Sequence, residues 1–121
     1  MIDSGRVNIA TIADESGSGV ISTTGNGRLL TVRVDIGTST TPNITITDSL
    51  GQTLYTESGL SGSVTRHPRA QAHNSATGAA LVLTSGNEPL VVEQGFVGPL
   101  TVTVASGGVS KSLSVACVWE K

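Results

Sequence analysis

From Leu100 to Trp119 the chain alternates with a period of two. Leu100, Val102 and Val104 are separated by threonines, Ser106-Gly107-Gly108 interrupts, and Leu113, Val115, Cys117 and Trp119 then alternate with small or polar residues. Successive side chains of an extended strand point to opposite faces, so this pattern describes strands with one dry face and one wet face. The Gly-rich break between them predicts a β-hairpin. A chain written this way has little choice but to form sheets, and the same pattern runs back to the N-terminus.

Val7–Ile12 predicts a first strand with Val7 and Ile9 on one side, and Val20-Ile21 a short second one. Gly25-Asn26-Gly27 predicts a tight turn, because both glycines tolerate positive φ. Leu30, Val32, Val34 and Ile36 should face inward, with Thr31, Arg33 and Asp35 outward. Ile44 and Ile46 alternate with Asn43, Thr45 and Thr47. The Thr47–Gln52 connection then reads as a hairpin turn capped by the Asp48 carboxylate, with Gly51 as its left-handed residue. Strand character weakens around Val64, resumes at Leu81–Leu83 and, after the Glu88-Pro89 boundary, returns at Leu90–Val92 and Phe96-Val97. Many short strands at roughly 8–12-residue intervals predict an all-β fold, a single-domain β-sandwich or a related small barrel of antiparallel strands. Residues 1–121 form that one domain, with an irregular arm or loop at about 66–80.

Composition narrows the function. The formal net charge is −2, with 13% charged residues, about half the usual ~25%, and no basic stripe. This argues against nucleic-acid binding. No apolar run approaches the ~18 residues of a membrane-spanning helix, and Met1–Gly5 resembles no signal peptide, so the expected product is soluble, made in the cytoplasm and without a membrane partner. The chain has one Trp, one Tyr and one Phe, so its core must be aliphatic, and oligomerisation would add buried area cheaply. Cys117 lies on the inward face of the last strand and reads as a small buried hydrophobe. Tyr55, Phe96 and Trp119 read as core plugs.

No catalytic constellation is expected. The abundant serines include no G-x-S-x-G, and a sugar-cleaving pair of carboxylates such as Asp35 and Glu93 would stand without aromatic platforms. His67 and His73 are spaced as neither a helix face nor a zinc motif, so no metal and no cofactor is expected. Gly25-Asn26-Gly27-Arg28 lacks the third glycine of a dinucleotide loop and precedes a strand. What remains is the arm. Arg66, His67, Arg69 and His73 concentrate local positive character, and no acid lies between Glu57 and Glu88. In a segment that the sheet does not require, these four residues are candidate contacts to an acidic partner surface.

The succession Ile44-Thr45-Ile46-Thr47-Asp48, Leu54-Tyr55-Thr56, Pro68-Arg69-Ala70 and, near the close, Leu100 to Lys111 resembles a group of small structural proteins of tailed bacteriophages. The likeness in order and spacing runs from about Val7 to Trp119. It implies a virion location for a protein made in the host bacterial cytoplasm. It further implies a capsid decoration (cement) protein that binds the major capsid protein and is itself a homo-oligomer, specifically a trimer. The alternative implied by the same resemblance is a tail-associated or host-glycan-binding adhesive domain.

Overall fold

The computed structural model describes residues 1–23, 25–71 and 91–121. The strand expected at Leu81–Leu83, the Glu88-Pro89 boundary, Leu90 and His73 lie outside the described residues. Ten strands are present among those described: β1 (Ile2–Ala10), β2 (Gly17–Ile21), β3 (Asn26–Asp35), β4 (Asn43–Thr47), β5 (Thr53–Glu57), β6 (Val64–Arg66), β7 (Arg69–Gln71), β8 (Val91–Val97), β9 (Leu100–Ala105) and β10 (Ser112–Glu120). They form two antiparallel sheets. A six-stranded sheet runs β1-β10-β3-β8-β7, with β6 also on β3, and a four-stranded sheet runs β2-β9-β4-β5. Without β6 and β7, each sheet interleaves early and late strands, which is the topology of an eight-stranded jelly roll. The fold is thus an all-β sandwich.

Both sheets turn aliphatic faces inward. Ile44, Ile46, Leu100, Val102 and Val104 from the smaller sheet meet Leu29, Val32, Val34, Val115 and Cys117 from the larger, all fully buried. Phe96 and Trp119 pack edge to face, with ring centroids 6.3 Å apart, and Leu29 pairs with Trp119 across the strands. The inward faces expected for Leu100–Val104 and Leu113–Trp119 are therefore present, but the hairpin is not. β9 pairs with β2 and β4, whereas β10 pairs with β1 and β3. The Ser106–Lys111 connection crosses between the sheets instead of folding back within one. Alternation dictates which side of a strand is dry and leaves open which strand lies beside it. A gap of about 10 Å between packed sheets is easily spanned by a connection of this length.

A second correction concerns β3. The expected inward set began at Leu30, but Leu29 is the fully buried residue, and Leu30 is only half-buried. Register explains the change: Val118 pairs with Thr31 and Trp119 with Leu29, so Leu30 is the extra residue of a β-bulge. One inserted residue moves the inward face from one parity to the other. β5 behaves alike, since the register shift opposite Ile46/Thr47 lets both Leu54 and Tyr55 pack on the core. Of the two turn glycines expected, Gly25 has φ 77, while Gly27 lies inside β3, where a Cβ would come within 3.0 Å of the Phe96 ring.

The β4–β5 turn forms as expected. The Asp48 Oδ1 accepts hydrogen bonds from the Leu50 and Gln52 amides at 3.0 and 2.9 Å, and Gly51 has φ 81. The other carboxylate oxygen accepts the Val97 amide of β8 at 3.2 Å, so this turn also ties the two sheets together. Along the β1–β2 edge, closure depends on missing side chains. A Cβ on Gly5 would stand 2.7 Å from Ile21 and 3.2 Å from Trp119, and one on Gly17 2.8 Å from Ile9.

The bulge is testable by paired truncation. Leu29→Ala should cost about 2–5 kcal/mol of unfolding free energy, as for other buried leucines. Leu30→Ala should cost less, about 1–2 kcal/mol, since this partly solvated side chain lies outside the sealed core and its truncation leaves no closed cavity. Urea denaturation of the two variants measures the difference; equal losses would contradict the register.

Candidate functional site

Of the arm residues that the structure describes, Arg66 lies in β6 and Arg69 in β7, with His67 between them. Arg66 ends β6 and pairs with Val32 of β3, so its side chain starts on the inner side of the larger sheet. From there its Nε and Nη2 donate to the two carboxylate oxygens of Glu57, both at 2.9 Å. Glu57 belongs to β5 of the other sheet, and the Tyr55 hydroxyl donates to the same carboxylate at 2.8 Å. This bidentate pair bolts the sandwich shut along the β5–β6 edge. The reading of Arg66 as a residue that the sheet does not require is corrected: its fork already grips an internal partner. Arg66 hydrogen bonding, then the Tyr55 hydroxyl, holds the Glu57 carboxyl down to about 2. Burial first, and the Glu57 carboxylate second, push the Tyr55 phenol above its ordinary range.

His67 and Arg69 lie on the outer face of the larger sheet. The His67 Nδ1 is 3.3 Å from the Thr31 hydroxyl. Arg69 opens β7, where it pairs with Glu93, and its Nη1 donates to the Pro68 and Leu30 carbonyls at 2.7 and 3.3 Å. The bulge at Leu30 thus supplies part of the seat for Arg69. Pairing register adds two residues that sequence reasoning did not bring together. Arg6, Ala116, Arg33 and Thr65 form one row across four strands. Arg33 donates to the Thr65 hydroxyl at 3.1 Å, and Arg6 reaches Ser114 at 3.4 Å. Small Ala116 separates the two arginines in this row. Alternation marks both arginines as outward-facing, but only the strand order makes them neighbours. Acids share this face: Asp35 accepts from the Gly37 amide and the Ser63 hydroxyl, and Glu120 pairs with Arg28 at 2.6 Å. A shallow depression of about 300 Å³ beside them is lined by Asn8, Asp35, Gly37, Ser112, Leu113 and Ser114.

The outer face of the smaller sheet is different in kind. Its cross-strand rows read Ser18–Thr103–Thr45–Thr56 and Val20–Thr101–Thr47–Thr53. None of these side chains ionises, so the two rows present methyls and hydroxyls. The Thr45 and Thr56 hydroxyls lie 3.3 Å apart.

Inside, the space between the sheets is filled by aliphatic side chains. The Cys117 thiol is fully buried, and burial pushes its pKa up to about 12. This is the behaviour of a structural cysteine. Among the described residues, no three or more His, Cys, Asp and Glu side chains come together as a metal site would require. The arrangement offers contact surfaces: a charged outer face, a hydroxyl outer face and the loop ends.

No protein-family model matches the chain, and no curated protein matches it in sequence. Among solved structures, it is similar to a chain of the cryo-EM structure of the extra small virus (XSV) virus-like particle of the giant freshwater prawn Macrobrachium rosenbergii. The match has 9% identity and a TM-score of 0.33, and covers 100% of this chain and 79% of that one. A likeness of this size carries no argument about function.

The Glu57–Arg66 pair generates a pH prediction. A carboxyl lower in the folded than in the unfolded chain contributes stability that is complete above the unfolded value of about 4.5 and is lost as pH falls towards about 2. Melting temperature should therefore drop more steeply over that interval in the wild type than in Glu57→Gln, the two converging in acid. Thermal melts across the pH series check this; parallel curves would remove the pair's role.

Proposed function

We propose that this chain is a structural component of a tailed-bacteriophage virion, a capsid decoration protein that binds the expanded shell. It acts by binding and not by catalysis. The observation that carries the reading is a jelly roll whose interior is packed with aliphatic side chains. Jelly rolls serve as capsid, lectin and cupin-type domains, and the last of these uses places its chemistry inside the barrel. Here that space is occupied by Ile44, Ile46, Val102, Val115 and their neighbours, which leaves the exterior to perform the function. The phage assignment rests on the resemblance carried by the Ile44–Asp48, Leu54–Thr56, Pro68–Ala70 and Leu100–Lys111 stretches.

In this reading the shell contact lies on the outer face of the larger sheet. Arg6 and Arg33 stand in one row there, with His67 and Arg69 beside them. Arginine suits such a contact because its planar fork matches carboxylates. Each contact is modest, and repetition by an oligomer, a trimer in this reading, multiplies them through effective concentration. The uncharged threonine face favours one second reading, a tail-associated domain that touches host glycans. Hydroxyl rows can hydrogen-bond sugars without stripping water from a charge.

Purified protein mixed with expanded capsids that lack it should bind saturably at fixed lattice positions, and raised salt should weaken the binding. Arg6→Glu with Arg33→Glu should reduce attachment about tenfold or more, with an unchanged melting temperature. Absence of wild-type binding to capsids, with binding to tails or host glycans instead, would transfer the assignment to the second reading.

A further inference from the structure

The β1–β2, β3–β4 and β9–β10 connections gather at one end of the sandwich. All the non-glycine residues with positive φ among those described sit in them: Glu15 at 68°, Thr41 at 48°, Ser106 at 55° and Ser110 at 53°. L-residues avoid this region, and they keep it only where the surroundings over-determine the backbone. Two buried hydroxyls do so here. The Thr11 Oγ1 donates to the Gly108 carbonyl at 2.5 Å and accepts the Lys111 amide at 2.8 Å, and the Ser39 Oγ donates to the Gly107 carbonyl at 2.7 Å. The Gly107 amide donates to the Glu15 carbonyl at 3.0 Å, which joins the first connection to the last.

This clamped end exposes apolar side chains. Ile12 is 61% and Val109 54% exposed, each within two residues of those cross-loop bonds. Both signs of charge flank them. Lys111, whose stem lies over Gly108, takes part in none of the ion pairs among the described residues, and neither does Glu15. This end carries acids, Glu15 with Asp14 beside it, together with Lys111 and an apolar pair on clamped backbone, so a rotated copy can set unlike charges against one another. We propose that this end is a self-association surface. A second copy of the chain packs there about a rotation axis, with Ile12 and Val109 towards the axis and Lys111 of each copy against Glu15 of a neighbour. Closed rotational symmetry satisfies every such pair, and the pre-set backbone reduces the ordering cost of association. The proposal locates the oligomer on which the virion reading relies, and its test needs no capsid, so capsid attachment is judged separately.

Charge reversal tests it on purified full chain, read as molar mass by light scattering over a concentration series. The wild type should associate, and more weakly as salt rises. Glu15→Lys and Lys111→Glu should each weaken association about tenfold, while the double reversal Glu15→Lys/Lys111→Glu should regain most of it. Ile12→Ser with Val109→Ser should also weaken association, with the thermal melt of the isolated subunit unchanged. A wild type that stays monomeric throughout the series would overturn the proposal. So would a double reversal no better than either single one.

Discussion

Two aliphatic sheet faces pressed together keep water out of the middle of this protein, and every other feature is arranged around that seam. Its residues are Val, Ile, Leu and Cys117, with two rings at one end. Burial of such side chains is worth roughly 1.5–3 kcal/mol each, without directional preference. A seam of this kind specifies thickness and polarity but not closure. The edges, where water could enter and strands could find foreign partners, must be sealed by other means.

The two long edges are sealed differently. Along β1–β2, glycines at 5 and 17 remove the side chains that would hold the edge strands apart, so Ile9, Ile21 and Trp119 fill the corner. Along β5–β6, where no such approach exists, a guanidinium and a carboxylate from opposite sheets lock together with the Tyr55 hydroxyl beneath them. That pair is partly solvated, with Arg66 and Glu57 side chains 48% and 26% exposed. It therefore acts more as a geometric latch than as a large store of stability. Asp48 adds a third tie, since one carboxylate caps its own turn and also receives the Val97 amide.

Outside the filled interior, the two outer faces offer different chemistry. The larger sheet sets arginines in a cross-strand row, and the smaller sheet shows uncharged rows of mostly threonines. In the proposed virion role, strength comes from the repetition of modest contacts.

Much of this was legible in the residues. The all-β class, the dry faces of β4, β9 and β10, the Asp48–Gly51 turn and the burial of Cys117 all follow from local facts. The pleat makes period-2 alternation visible, and a turn is specified by the few residues that form it. What tertiary structure decided is relational. It placed β9 and β10 in different sheets, inserted Leu30 as a bulge so that Leu29 faces inward, and gave Arg66 a partner on another strand. It also made neighbours of Arg6 and Arg33. Alternation assigns a side chain to a face; only the mutual fit of both sheets, which maximises buried apolar area over the whole chain, chooses which strand lies beside which.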